Sequence, residues 1–536
     1  MTGLRVSWPI LRLGIVAAFV GLFLLNGAAG GPIYLDDPPA PADPATTGTA
    51  PQRVSITSAA LSCPGPEQLG LSDATVTESL QTVLVHAVTA PGEVLDEGSA
   101  DAASGELTLT AGEAPSTKIT GRAEVVSQSV DTADPVTLVA TGTLAPALSA
   151  AQLWLGSQEQ QVGLSFTPCH PPVESGWLIA GGAQPGRAER LVLLNPGRTP
   201  ISVDLQVWGS AGSGTDDIGS QVALAPGERR IVLLDALAPG VETPAVLVQT
   251  TGGPVTAYLG DRWLKGTADQ GWDLSAPAAN PATSHILPGI LAPQGAGSEQ
   301  DPESAPSPVI VRVAVPGSAP AVVSVQGLTD QGAVDLPTDV ALVPGQQSTD
   351  IEIADLPDGT SALRVDSDEP VVAAAQLSTS PSAQGRQDIA WSPAASPLGG
   401  VAGAPLPQLG DDAPELTYRL HLVAPAGGRA TVYTLSIDDE IASTDLDLSV
   451  DAPTEVLLAD ARAVWVETTA GEVHGSVSAQ GVVPVSDEDP TAGSPTATAD
   501  DDEASPEVDD VPVLAVLPLV DLPRYRSLID LVPQRP

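Results

Sequence analysis

Histidine is the side chain most often used for acid–base catalysis and metal binding, so the five histidines are the first candidates for chemistry. They are His86, His170, His285, His421 and His474. None stands in an HExxH pattern or at a spacing typical of zinc ligands. His421 and His474 match other residue types in related segments of the chain, so both are predicted to be exposed, variable strand positions. The histidines therefore indicate no metal site.

Nucleophiles and paired carboxylates give no stronger signal. The sequence has no GxSxG elbow, SxxK motif or Walker loop. With 66 acidic residues, carboxylate pairs arise by chance and do not indicate a glycosidase. Acidic turns at 366–369 and 438–440 have the composition of calcium loops, but a related segment carries threonine and glycine at the first. We predict no catalytic residue, metal or cofactor, and an exported hydrolase using His86 and His170 is one alternative.

Tryptophan supports a second alternative, an array of carbohydrate-binding modules. Indole faces stack on sugar rings or partner surfaces with little loss of conformational entropy. The candidate ligand platform consists of Trp263, Trp272 and Trp391. The competing interpretation is that these indoles fill the ends of hydrophobic cores.

The two cysteines, Cys63 and Cys169, favour one disulfide in an exported domain. That bond would close a loop of about a hundred residues, which the chain-entropy account values at roughly 4 kcal/mol. Two free, buried thiols are the alternative. Neither cysteine has a plausible histidine partner in the sequence, so a thiol nucleophile is not indicated.

The elements that must position these residues are repeated. Three segments share one pattern and begin at Arg190 (RLVLLNPGRTPISVDLQVW), Val311 (VRVAVPGSAPAVVSVQG) and Arg419 (RLHLVAPAGGRATVYTL). Aligned on their first prolines, they carry apolar residues at every second position, which is typical of strands with one buried face. In the second strand the alignment matches Val203 with Val323 and Val432.

Each repeat continues with a Pro turn, another strand and a predicted hairpin starting at Ala245, Ala362 or Ala463. A period of about 110 residues is that of a small domain rather than a solenoid coil. We therefore predict an all-β protein of tandem β-sandwich modules, immunoglobulin- or fibronectin-like, and propeller blades are the runner-up. The predicted fold also includes one N-terminal transmembrane helix and a disordered acidic C-terminal region.

The formal net charge of −45 disfavours nucleic acids and anionic lipid surfaces as partners. At the N-terminus, Arg5 and Arg12 precede an apolar segment, which directs the remainder of the chain out of the cytoplasm. The segment at 13–35 is long enough to span a bilayer, although cleavage near Ala28 would release a secreted protein.

Composition divides the chain into eight predicted regions. These are a cytoplasmic N-terminus (1–12), a signal anchor (13–35), a linker (36–52), an N-terminal β domain with the disulfide (53–175), repeats one (176–291), two (292–410) and three (411–485), and an acidic disordered tail (486–536). Within the tail, the apolar stretch from Val511 onward is predicted either to pack back as a strand or to bind a partner.

The segment SGWLIAGG followed by LVLLNPGRTPISVDLQVWGSAG resembles an uncharacterised family of exported actinobacterial proteins with one membrane anchor. The residues that carry the resemblance are Trp177, Gly181, Leu191, Leu194, Asn195, Pro196 and Gly197. The family has no assigned activity, so the resemblance implies no catalytic residues. Its members tend to be linked with cell-envelope glycan genes, which implies an envelope protein or glycan as partner.

These observations predict a non-catalytic, membrane-anchored, extracytoplasmic protein that binds or scaffolds components of the cell envelope. The anchor, the tandem modules and the lack of a catalytic motif support this prediction.

Overall fold

Strands make up nearly all regular structure in the computed structural model, so the predicted all-β class is confirmed. The described residues are 52–66, 83–95, 104–112, 116–131, 134–158, 161–213, 221–291, 308–338, 340–410, 413–486 and 508–528. No helix among them has the length and apolar character needed to cross a membrane. The predicted anchor at 13–35 and the linker at 36–52 lie outside these residues, apart from Gln52.

Residues Val54–Arg526 form one compact unit that contains four modules. The N-terminal module comprises β2 (Ser58–Cys63), β3 (Val83–Thr89), β4 (Glu106–Ala111), β5 (Thr117–Ile119), β6 (Val126–Val130), β7 (Val136–Thr141), β8 (Leu148–Gln158) and β9 (Gln161–Pro168). Module 1 comprises β10 (Ser175–Ile179), β11 (Arg187–Leu194), β12 (Ile201–Gly209), β13 (Gly212–Ser213), β14 (Gln221–Leu224), β15 (Arg229–Leu233), β16 (Ala245–Thr251), β17 (Thr256–Lys265) and β18 (Ala268–Ser275).

Module 2 comprises β19 (Ala282–Pro288), β20 (Val309–Ala314), β21 (Ala321–Thr329), β22 (Gly332–Asp335), β23 (Ala341–Val343), β24 (Ser348–Ile353), β25 (Thr360–Ser378) and β26 (Ile389–Pro393). Module 3 comprises β27 (Val401–Pro405), β28 (Thr417–Val423), β29 (Gly428–Ser436), β30 (Ile441–Leu448), β31 (Thr454–Leu457), β32 (Ala461–Ala470), β33 (His474–Ser486) and β34 (Val508–Pro518). The helical elements among the described residues are short: 3₁₀ turns at Gly92–Val94 and Gly142–Leu144, and α1 at Leu234–Leu237.

The chain ends form a second unit, Met1–Arg53 with Ser527–Pro536, of which only residues 52–53 and 527–528 are described. Strands β1 (Gln52–Ser55) and β35 (Tyr525–Leu528) make a two-stranded sheet.

All four modules have the same strand order in two sheets. The peripheral sheets run β2-β7-β4-β5, β10-β16-β12-β14, β19-β25-β21-β23 and β27-β32-β29-β30. The axial sheets run β6-β3-β8-β9, β15-β11-β17-β18, β24-β20-β25-β26 and β31-β28-β33-β34. The N-terminal domain is therefore a fourth copy of the repeated unit, although the sequence pattern revealed only three.

Alternating burial explains how each module forms its core. Along β12, Val203, Leu205 and Val207 are fully buried, and the residues between them face outward. Their apolar side chains share one hydrophobic cluster with Leu191 and Leu193 of the axial sheet. Burying one face of each sheet against the other is the main stabilising contribution that the strand pattern predicts.

The predicted hairpins are wrong, because the two strands of each pair enter different sheets. Strand β16 pairs with β10 and β12, whereas β17 pairs with β11 and β18. In module 2 the same path is one 19-residue strand, β25, which pairs first with β21 and then with β20. The Gly, Asp and Pro residues at these positions allow the chain to cross from one sheet to the other.

The matching of Val432 with Val203 is also wrong, by two residues. The turn between β28 and β29 is shorter than its counterparts, and β29 begins at Gly428 where β12 begins at Ile201. The register of the neighbouring strands places Ala430 opposite Leu446, as Val203 lies opposite Val222.

Two boundaries predicted from composition differ from the strand pairing. Val401–Pro405, assigned to repeat two, pairs with β32 of module 3. Val508–Pro518, assigned to the disordered tail, pairs along its whole length with β33. Its valines and leucines from Val511 onward are buried, so the apolar stretch packs back as a strand, which was one of the two predicted outcomes. Residues 487–507 lie outside the described part of the chain.

The four axial sheets meet along their last strands. Strand β9 contacts β18, β18 contacts β26, β26 contacts β34, and β34 contacts β9. Hydrophobic clusters cross each junction, for example by joining Phe166 of the N-terminal module to Tyr418 of module 3. Sheets that meet radially protect their edges from unwanted pairing, as propeller blades do.

This packing corrects the prediction that His421 and His474 are exposed. Their exposed fractions are 0% and 5%, and the residues matched to His421, Val192 and Arg312, are buried as well. Both faces of an axial sheet are covered, one by the peripheral sheet and the other by neighbouring parts of the protein. Alternation along one strand cannot reveal that second covering layer.

Candidate functional site

Cys63 and Cys169 form the predicted disulfide, with 4.4 Å between their Cα atoms. Both are buried where the N-terminal module contacts module 1. Tyr258 of module 1 donates its hydroxyl proton to the carbonyl oxygens of Ser62 and Pro168, which precede the two cysteines. The disulfide therefore joins the two strand ends whose carbonyl oxygens accept the hydrogen bonds of Tyr258.

His170, a candidate base, is held by backbone carbonyls. Its Nδ1 lies 2.8 Å from the oxygen of Pro171, and its Nε2 lies 3.2 Å from that of Ala257. Burial lowers the pKa of His170, and burial together with the charge of Arg462 lowers the pKa of His86 to about 4. Both rings are enclosed in the protein.

The predicted tryptophan platform is not assembled. Trp272 and Trp391 are 3% and 1% exposed, so neither indole offers a face to a sugar. Trp272 packs edge to face on Trp154 with 5.0 Å between ring centroids. Trp263 is half-buried, and the Arg187 guanidinium lies 5.5 Å from its ring centroid. Core filling, the competing interpretation, describes the first two indoles.

The turns considered for calcium are engaged in other contacts, and in the turn at 438–440 Asp439 pairs with Arg462. Asp366 accepts a hydrogen bond from Ser284, and Asp368 accepts one from the backbone of Val322. In the described ranges, no group of three or more His, Cys, Asp or Glu side chains is placed to hold a metal ion.

One carboxylate, that of Asp388, connects all four modules. It accepts hydrogen bonds from the backbone N–H groups of Leu164 (2.9 Å), Leu514 (3.0 Å) and Ile389 (3.0 Å). These residues belong to the N-terminal module, module 3 and module 2. Gly271 of module 1 lies against the same carboxylate. A Cβ atom on Gly271 would be only 2.4 Å from Asp388 Oδ1, so the close approach requires glycine.

Asp269 and Asp273, both on β18, act in the same way. Asp269 accepts from the N–H of Val162 at 2.9 Å. Asp273 accepts from the Ser165 hydroxyl at 3.1 Å and from the Trp391 N–H at 2.7 Å. Buried carboxylates thus satisfy edge N–H groups that no neighbouring strand pairs.

Buried hydrogen bonds fasten module 1 to module 2 beside two ion pairs, each of which lies within one module. Asp261 accepts one hydrogen bond from Arg187 Nε at 2.7 Å and another from the indole N–H of Trp391 at 2.7 Å. Arg312 of module 2 donates to the carbonyl oxygen of Gly181 in module 1 at 2.8 Å and pairs with Asp350. A repeat position that sequence alignment presents as variable is therefore a specific contact between modules.

Desolvation dominates the protonation of several of these acids. Burial raises the pKa of Asp273 and of Glu189 to about 7, and it raises that of Asp388 well above the ordinary value. Asp261 differs, because the charge and hydrogen bonds of Arg187 outweigh its burial and lower its pKa.

Replacing Asp273 with Asn is expected to remove one pH-dependent contribution to stability. With a folded pKa of about 7, Asp273 keeps a proton that the unfolded chain releases near pH 4. Its contribution is complete below pH 4 and is lost as pH rises through 7. The difference in unfolding free energy between wild type and D273N should therefore fall by up to about 4 kcal/mol from pH 4 to pH 8, measured by urea unfolding.

The histidines with lowered pKa titrate in both proteins and cancel in that difference. The exposed Asp330→Asn variant is the control and should give a nearly constant difference. A constant difference for D273N would contradict the assignment.

The last strand of each axial sheet ends beside a pocket of about 320 Å³, which we call the axial pocket. Small apolar residues and prolines form its floor, and Ser175, Asn280, Ser396 and Asp521 stand exposed at its rim. All four modules contribute through the lining residues Pro168, His170, Pro171, Val173, Gly176, Ala276, Pro277, Ala278, Ala394, Ala395, Pro397, Pro518, Leu519 and Val520.

The axial acids were missed at the sequence level, although a signal existed. The last strand of three modules begins at or beside an aspartate, namely Asp269, Asp388 and Asp509. The three acids stand at different distances from the equivalent paired residues Ser275, Ser392 and Leu517, so repeat alignment alone would not have superposed them.

A family profile described as "Family of unknown function (DUF5719)" matches residues 125–459. The match begins inside the N-terminal module and ends in module 3. No curated protein matches the chain.

Proposed function

The chain belongs to the DUF5719 family of unknown function, and from this premise we propose a non-catalytic binding or scaffolding protein of the cell envelope. In this proposal the segment at 13–35 anchors the protein to the membrane and the modules lie outside the cytoplasm. The Cys63–Cys169 disulfide supports that location, because such bonds persist in oxidising compartments.

The observation that carries the proposal is the axial pocket. Its volume falls within the range of small-molecule sites, and its apolar floor with a few polar rim groups is their usual composition. Since four modules must pack together to form it, the pocket gives the assembled body a role that no single module has.

The placement of the reactive side chains supports binding rather than catalysis. Asp273 and Asp388 accept hydrogen bonds from edge strands. A general base must reach a substrate proton, and these two groups already serve the packing of the modules. His170 lines the axial pocket, with both ring nitrogens beside backbone carbonyl oxygens.

We also infer that each module is a β-sandwich, since its two sheets share one core. Its order differs from that of immunoglobulin domains, where the first and second strands are neighbours in one sheet. Here the first strand pairs with the sixth, as β2 pairs with β7. The likeness to immunoglobulin or fibronectin modules is thus one of layers rather than of strand order.

Photo-crosslinking from the pocket rim tests the proposal. A photoreactive amino acid at Asn280 or Ser396, introduced into the full chain in its native host, is expected to give adducts with an envelope protein or glycan. The exposed turn residue Asp330 is the control position. Mass spectrometry of the adducts identifies what the pocket contacts.

Adduct yields at the rim at least about tenfold above those at Asp330 would support the proposal. Rim yields equal to the control would contradict it. Adducts restricted to glycan would favour the carbohydrate-binding alternative. Hydrolysis of the captured molecule would favour an exported hydrolase.

A further inference from the structure

Module 2 exposes an apolar patch on the outer face of its peripheral sheet. Val322, Val340 and Leu342 have exposed fractions of 43%, 61% and 66%. Val322 and Leu342 lie directly opposite each other on β21 and β23, so their side chains form one surface. We call these three residues the module 2 patch. Contiguous apolar surface of this kind marks interaction sites more often than isolated exposed residues do.

The other modules provide an internal comparison at the same fold positions. In module 1, the register places Ser202 opposite Ala223, and Gln221 takes the place of Val340. In module 3 the cross-strand pair is Arg429 and Asp447, an exposed ion pair. The fold therefore tolerates small, polar or charged residues here, and folding alone does not explain the apolar residues of module 2.

The surroundings of the patch define the chemistry of its partner. Strand β23 pairs with β21 and with no other described strand, so one of its edges is open. Asp368 lies beside Val322 and accepts its backbone N–H at 2.7 Å, and Glu369 is exposed next to it. The nearby cation, Arg364, is paired with Asp366 and Asp451. The patch is thus apolar with an acidic border.

We propose that the module 2 patch docks an extended segment of a protein partner in which an apolar stretch is flanked by lysine or arginine. The segment would lie on the outer face of the peripheral sheet, across β23 and β21. Its apolar side chains would cover Val322 and Leu342, and its flanking basic side chains would reach Asp368 and Glu369 of β25, on the side of β21 away from β23. A second copy of this chain is disfavoured by its net charge of −45.

Photo-crosslinking in cells also tests this proposal, with a photoreactive residue at Leu342 and the matched position Ala223 as control. We expect an adduct yield at Leu342 at least about tenfold above that at Ala223. Peptide mapping should locate the adduct in an extended, apolar and basic segment of another protein. Introducing the module 1 residues, as Val322→Ser with Val340→Gln, should reduce the yield to the control level without lowering the thermal unfolding midpoint.

Equal yields at Leu342 and Ala223, no adduct, an acidic target segment, a lipid adduct or a second copy of this chain would each overturn the proposal. The inference does not rest on the axial pocket. Adducts from Asn280 and Ser396 should be unchanged in the double variant, so failure here is distinguishable from failure of the proposed function.

Discussion

Replacing Asp388 with Ala is expected to lower the free energy of unfolding by roughly 3–5 kcal/mol. The substitution leaves the N–H groups of Leu164, Leu514 and Ile389 buried without an acceptor. It also opens a void beside Gly271, where the carboxylate now fits. Urea unfolding near pH 6 measures the loss.

Amide hydrogen exchange gives a readout that general destabilisation would not. In D388A, the amides of Leu164 and Leu514 should lose far more protection than core amides within one module, such as that of Leu205. Asp388→Asn keeps one carbonyl acceptor and should cost less, and the exposed Asp330→Ala variant should cost almost nothing. A loss below about 1 kcal/mol in D388A, or uniform loss of protection, would contradict a connecting role.

Removing the disulfide by Cys63→Ala with Cys169→Ala is expected to cost roughly 2–5 kcal/mol. The bond joins residues separated by 106 positions, so its loss releases a long loop in the unfolded chain. It also frees the two strand ends whose carbonyl oxygens accept from Tyr258. Urea unfolding of the double variant and of reduced wild type should give the same midpoint.

Tyr258→Phe separates the contact between modules from the covalent bond. If the disulfide positions the acceptors of Tyr258, the Phe substitution should cost about 1–2 kcal/mol in oxidised protein and less in the double alanine variant. Equal costs in the two backgrounds would show that the disulfide and the tyrosine act independently.

The local pattern of the chain was sufficient to predict the strands. Val203 and Leu205 face the core as their alternation indicates, and Cys63 and Cys169 are paired as their number and compartment suggested. These features depend on period-two burial and on covalent chemistry, which the sequence displays directly.

Packing between modules was not predictable in this way. His421 looked variable because its counterparts are Val192 and Arg312, yet all three are buried under different neighbours. Val192 packs against apolar side chains of the N-terminal module and Arg312 donates to carbonyl oxygens of module 1, whereas His421 contacts the hydroxyl of Ser478 within its own module. Variation at this repeat position therefore reflected different buried contacts, two of them between modules, where exposure had been inferred.

The N-terminal module shows the same limit at the scale of a domain. Its strand order repeats that of modules 1 to 3, and Pro91-Gly92 follows β3 as Pro196-Gly197 follows β11. The next strand, however, begins at Glu106, 106 − 92 = 14 positions after the glycine, whereas β12 begins at Ile201, 201 − 197 = 4 positions after it. This longer connection separates the two strands along the chain, so the shared pattern is not recognised from neighbouring residues.

Strand β34 contacts both β9 and β26, and it is supplied by residues 508–518. A ribosome synthesises the earlier modules first, so the edges of β9 and β26 remain uncovered until β34 has been synthesised. A product truncated before this point keeps those edges uncovered, and uncovered edges invite aggregation and proteolysis. Survival of the polypeptide therefore depends on translation having passed β34, which selects against shortened products.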